Sequence, residues 1–169
     1  SKEAIDNFVE RFDKCHDGAY PNQEENPHIA DEFGADAELF IDKVGSKWIQ
    51  IWDEGYYRSS DNRCEIYLDT AWYPPSDMIL EIYRQMAEID DEIKVSGKYW
   101  DEGYQPIGVF EVYYGQIIEE QDHDLDESEW DDEIEAEGEQ EYDRNFWEEV
   151  VDPAFTVLQE RLDKVMREI

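Results

Sequence analysis

Apolar residues near the start of the chain recur at helical spacing. Ile5, Phe8, Val9 and Phe12 lie three and four positions apart, which predicts a helix over Lys2 to Cys15. Asp17-Gly18 closes it, because glycine takes the left-handed conformation of a helix end. His16 to Ala37 is rich in turn residues (Pro21, Asn22, Asn26, Pro27, Gly34) and reads as an irregular connection with a short helical turn at Ile29 to Phe33. From Gly45 the pattern changes to alternation. Lys47 to Asp53 predicts a strand with Trp48, Gln50 and Trp52 on one face and Ile49 and Ile51 on the other. Gly55 marks a turn region, and Ser59 to Asn62 a second turn. Arg63 to Thr70 is the next strand, with Cys64, Ile66 and Leu68 opposite Glu65, Tyr67 and Asp69.

Pro74-Pro75 stops that strand, since proline cannot donate to a ladder. Ser76 is the expected N-cap of a helix over Asp77 to Ile89, whose apolar face carries Ile79, Ile82, Tyr83 and Met86. Ile93 to Trp100 and Ile107 to Tyr114 predict a hairpin, with Gly97 and Gly108 marking bulges or close backbone approach. Asn145 to Val151 reads as helical. Asp152-Pro153 is expected to start the last helix, striped with Phe155, Leu158, Leu162, Val165, Met166 and Ile169.

Between the hairpin and that helix the apolar pattern gives way to charge. Glu119 to Asp143 holds 15 carboxylates in 25 residues and no lysine or arginine. Such a density persists only where water, cations or a basic partner offsets the repulsion. The plainest reading is a solvated acidic loop. The rest of the protein changes that picture, because it too is acidic: Lys+Arg 14 against Asp+Glu 47 gives a formal charge of -33 over 169 residues.

At 40% hydrophobic and 14% aromatic, the chain still has enough large apolar surface to build a core, and at about 25 cal/mol per Å² buried aromatics offset much repulsion. The charge excludes direct nucleic-acid binding and anionic membrane surfaces, both of which need lysine and arginine. No apolar run reaches the ~20 residues of a membrane span, and no signal peptide is visible. Cys15 and Cys64 are too few for a disulfide framework and fit reduced thiols in a reducing cytoplasm. No cofactor or metal is implied. Cys15-His16 lacks further spaced ligands. Asp122, Asp124, Asp126 and Glu133 match calcium-loop spacing, but Glu127 stands where the turn needs glycine. His16, His28 and His123 are scattered without a nucleophile elbow or phosphate loop, so an enzyme is not expected.

Gly45-Ser46-Lys47-Trp48, Leu68-Asp69-Thr70-Ala71-Trp72-Tyr73-Pro74-Pro75, and Tyr99 to Gly103 with Gly108 resemble the YubB-type ferredoxin-like domain of plasmid and phage proteins. That family shows a G-T-K-W segment, an F-x-T-A-W-x-P-P motif and a later Y-x-E-x-G…G pair of strands. It usually opens with a strand containing P-N-W-C, which this chain lacks. The resemblance spans about residues 2–116. It implies an α+β, ferredoxin-like antiparallel sheet with helices packed on one face, and a mobile-element origin, but no activity. Residues 1–116 are thus expected to form the ferredoxin-like domain. Residues 117–169 are expected to add the acidic segment and an amphipathic C-terminal helix packed on it. In the T-A-W-Y-P-P block, Trp72 is expected to anchor helix on sheet while the prolines fix the turn.

The expected function is anti-defence. A folded surface of carboxylates imitates the charge of DNA, one per ~1.7 Å of axis, and blocks the basic groove of a host restriction, CRISPR or other nuclease complex. The expected partner-binding residues are Glu119, Glu120, Asp122, Asp124, Asp126, Glu127, Glu129, Trp130, Asp131, Asp132 and Glu133, with Trp130, Tyr142 and Trp147 as apolar anchors. Two alternatives use the same charge: an immunity or antitoxin protein for one basic toxin, and a cation-binding accessory protein.

Overall fold

The computed structural model of the chain describes residues 1–16, 26–46, 49–71, 73–101, 104–125 and 144–169. The chain forms two compact units. The first comprises Ser1–Val95 and Val112–Ile117, the second Ser96–Glu111 and Ile118–Ile169. The sequence expectation had placed a single boundary after residue 116.

The first unit opens with α1 (Lys2–His16), whose stripe of Ala4, Ile5, Phe8, Phe12 and Cys15 is buried. Two short helices follow, α2 (Pro27–Phe33) and α3 (Phe40–Val44). Asn26 caps α2: its side chain accepts from the amides of His28 and Ile29, and Pro27 occupies the first turn, where a missing N–H costs nothing. The Asn26 amide also donates to the Cys15 carbonyl, tying the end of α1 to the start of α2 at 3.0 Å. The helical turn expected at Ile29 to Phe33 within the irregular connection is therefore present and begins two residues earlier, at Pro27, whereas α3 was not anticipated.

Strands β1 (Gln50–Ser60) and β2 (Arg63–Asp69) form an antiparallel pair closed by a turn at Asp61-Asn62. β1 runs through Gly55, where the sequence predicted a turn. Between the Ile51–Leu68 and Tyr56–Ile66 pairs, β1 advances five positions while β2 advances two. The strand absorbs the surplus as a bulge, with Gly55 at φ +63°. Ile49, Ile51, Cys64, Ile66 and Leu68 face the core, as alternation required. They meet Phe8, Phe12, Ile29, Phe33, Met78, Ile82 and Met86. Phe8 packs on Phe12 at 5.5 Å and on Phe33 at 5.6 Å, pairs worth about 0.5–1.5 kcal/mol each beyond area burial. Burial pushes the Cys15 thiol up to about 12 and the Cys64 thiol up to about 11, so both are protonated at neutral pH.

Helix α4 spans Ser76–Ala87. Ser76 is its first residue, not its N-cap: Pro75 holds that place and no side chain caps the end. Gly45, at φ +82°, closes α3 against the N-terminus of α4, and a Cβ there would lie 2.9 Å from the Asp77 amide and the Ser76 Oγ. Next to it, buried Ser46 donates to the Ala71 carbonyl at 3.2 Å, and Thr70 Oγ1 donates to the Tyr73 carbonyl at 2.8 Å. The two motif segments of the sequence are thus neighbours that lock each other, which is a structural role. Trp48 and Trp72 lie outside the described residues.

A three-stranded sheet runs in the order β3–β4–β5, and all of it but the segment Val112–Ile117 belongs to the second unit. β3 (Ser96–Trp100) is shorter than the expected Ile93 start, β4 spans Ile107–Tyr113, and β5 (Gln116–Asp122) was not anticipated. Gly97 pairs with Phe110 and Tyr99 with Gly108 in unbroken register, so neither glycine marks a bulge. Each leaves room for the ring opposite: a Cβ on Gly108 would sit 2.3 Å from the Tyr99 ring, and one on Gly97 2.7 Å from that of Phe110. Tyr114 (φ +47°) and Gly115 (φ +75°) are the two central residues of the β4–β5 turn, whose twist requires positive φ at both.

After the acidic run the chain is helical without a break from residue 144 to 168. A π-helical turn, Trp147–Val151, leads straight into α5 (Asp152–Glu168). Asp152 is therefore the first residue of α5, with Pro153 in its first turn as expected, but it continues the preceding turn and is not an N-cap. Its amide bonds to the Trp147 carbonyl five residues back. Pro153 lacks an amide and crowds the carbonyl four residues before it, and a widened turn just ahead accommodates it without ending the helix. Phe155, Leu158 and Leu162 are buried against Ile107 and Val109 of β4, while the far end of the stripe fades, with Ile169 60% exposed.

Candidate partner-binding site

The acidic run begins as a strand. Glu119, Glu120 and Asp122 belong to β5, paired beside β4, and Asp122 and Asp124 form the turn that follows. In that turn the Asp122 carboxylate accepts from the Asp124 amide at 2.8 Å. Alternation puts Glu119 on the face of Tyr99, whose hydroxyl donates to Glu119 Oε2 at 3.1 Å. Glu120 and Asp122 share the opposite face with Ile118, which packs on the second core. Glu119 and Asp124 are exposed, and Glu120 and Asp122 half-buried. Asp126, Glu127, Glu129, Trp130, Asp131, Asp132 and Glu133 lie outside the described residues, as does Tyr142.

The run is held at both ends. Leu125 is the only aliphatic residue in its first half, and it is buried. The Gln105 side chain donates to its carbonyl at 2.6 Å. On the far side Phe146, 2% exposed, enters the same hydrophobic cluster as Leu125, with Ile107, Val109, Val151, Phe155, Leu158 and Leu162. Leu125 and Phe146 thus fix the chain on either side of residues 126–143, which lie outside the described residues. The sequence reading named the carboxylates but missed Gln105, Leu125 and Phe146, although a lone leucine inside such a run was the available signal.

Trp147, named in advance as an apolar anchor, is half-buried beside this cluster. Its ring stands edge-on to Trp100 at 5.1 Å and to Tyr104 at 6.1 Å. Among the described residues no three His, Cys, Asp or Glu side chains converge as metal ligands, and no described helix is long and apolar enough to cross a membrane.

Comparison with known proteins adds one finding. No curated protein and no solved structure matches the chain. A family model described as a ferredoxin-like domain in Api92-like protein matches residues 51–152. The match starts inside β1 and ends at the junction of the π turn with α5, so it reaches past the span 2–116 of the sequence resemblance and takes in the whole acidic run. An α+β chain of small antiparallel sheets and packed helices, matched over more than half its length, belongs to the family of the ferredoxin-like domain in Api92-like protein.

Proposed function

We propose that this chain is a non-enzymatic anti-defence protein of phage or plasmid origin, of the YubB type. On this reading it acts in the host cytoplasm by presenting a nucleic-acid-like charge pattern to the basic groove of a restriction, CRISPR or other nuclease complex. The observation that carries the reading is the double anchoring of the acidic run on one hydrophobic cluster, through Leu125 and Phe146. A free tail needs no such anchors, whereas a mimic gains from them, because a segment tethered at both ends has less entropy to lose when a partner binds.

The test is capture from host lysate at low salt, followed by challenge of the captured complex with duplex DNA or RNA. Nucleic acid should displace the protein, and changing Asp122, Asp124, Asp126, Asp131 and Asp132 to Asn should abolish capture with the fold intact by circular dichroism. Undiminished capture by the neutralised variant would overturn the reading.

A further inference from the structure

Lys98 and Trp100 stand two residues apart on β3, opposite Val109 and Ile107, and so share the helix-packed face of the sheet. The Lys98 ammonium lies 5.1 Å from the centre of the Phe155 ring and 5.7 Å from that of Trp147. Trp100 closes the group, edge-on to Trp147 at 5.1 Å and to Phe155 at 6.3 Å. In a protein with 47 acidic side chains, this lysine rests on ring faces and not on a carboxylate of the described residues. The group is open to water, since Trp100 is 42% exposed and Lys98 is exposed. Glu148, Glu149 and Asp152, on the helical segment that carries Trp147 and Phe155, are exposed as well. Aromatic faces attract a cation through their quadrupole, and the carboxylates on the same segment add charge of the matching sign.

We infer that Trp100, Trp147 and Phe155 form a seat for an arginine side chain of the basic partner protein, and that Lys98 occupies it in the partner's absence. The inference rests on the proposed basic partner and names the side chain by which that partner is gripped. A guanidinium is planar, stacks on rings and is less strongly hydrated than an ammonium, so arginine displaces lysine from such a seat. Lys98, on a flexible four-carbon stem at an exposed edge, swings back into water. The seat also turns a charge match into a specific one, because generic screening does not distinguish arginine from lysine.

The experiment measures binding of an oligo-arginine and an equal-length oligo-lysine peptide to the full chain by tryptophan fluorescence and calorimetry. The wild type should prefer oligo-arginine by about three- to tenfold. Trp100→Leu, at a partly exposed site, should erase that preference. Lys98→Met should tighten oligo-arginine more than Lys94→Met, which removes the same charge elsewhere. If the arginine-to-lysine ratio survives Trp100→Leu and the two lysine variants behave alike, the seat is packing only and the inference falls. The polyanion reading stands in that case, provided neutralising the acidic run still weakens both peptides. An arginine preference that is lost in Trp100→Leu but untouched by neutralising the run keeps the seat and removes the polyanion reading.

Discussion

The first unit sets nine basic residues against 23 acidic ones, and the second sets five against 24. The larger difference lies in how the bases are used. In the first unit Lys2 pairs with Asp6, Arg11 and Lys14 with Glu32, Arg58 with Asp6, Arg63 with Glu65, and Arg84 with Glu81 and Glu88. Arg11 also reaches Gln85, which bonds the Glu32 carbonyl and Glu81, so α1, α2 and α4 share one polar seam. In the second unit Lys98 lies on rings, and Arg161, Lys164 and Arg167 sit exposed along α5 without an ion pair to a described residue. Exposed pairs contribute about 0–1 kcal/mol each, so the seam is no great source of stability. Its lesson concerns availability: the first unit spends most of its bases on ion pairs with its own carboxylates, whereas Arg161, Lys164 and Arg167 of the second pair with none of the described ones.

The contrast can be broken first at the cores. Phe146→Ala and Phe12→Ala should each cost about 3–5 kcal/mol in denaturant unfolding. Only the former, measured where the variant is still folded, should also weaken partner binding, because it frees one end of the acidic run. Equal binding losses would erase the functional distinction between the units. Next in size, Gly108→Ala should cost about 1–3 kcal/mol in the second unit by driving the Tyr99 ring off the β3–β4 pair, read as a lower thermal midpoint.

Salt should then act with two signs. Raising NaCl from about 0.02 to 0.5 M shortens the screening length several-fold, which should raise the thermal midpoint by relieving self-repulsion while weakening partner binding. A midpoint that falls would mean the ion pairs outweigh the repulsion. The smallest effect is a pH dependence in the first unit. Lys2 and Arg58 hold Asp6 below the usual carboxylate range, Arg84 does so for Glu81, and the N-terminal amine for Asp90. Depressed folded values mean that this stability is present at neutral pH and is lost as pH falls from about 4 downward. Asp6→Asn should flatten that acid limb in pH-dependent melting.

Long periodic segments were legible in the sequence. The stripe of α1, the faces of β2 and the apolar side of α4 follow directly from spacing, because burial on one side leaves a period that tertiary contacts do not override. What was missed lies where local signals conflict. β5 carries Ile117 and Ile118 just ahead of Glu119 and Glu120, so charge hid a strand that is stabilised by its neighbour β4 and not by its own pattern. α3 is five residues long, too short to print a period. Asp152-Pro153 looked like a beginning because sequence cannot show that the preceding turn is widened. Of the candidate site, the carboxylates were plain, but the buried residues that fix them were not, since an anchor is defined by what it meets across the fold.

The π turn ahead of Pro153 has an evolutionary corollary. A helix with one residue too many in a single turn is what a one-residue insertion leaves behind when the chain keeps winding. Deleting Glu149 together with Pro153→Ala should let residues 144–168 coil as an ordinary α-helix and swing Trp147 by about 100° relative to Phe155. The surplus residue is thus a dial for the direction of an indole.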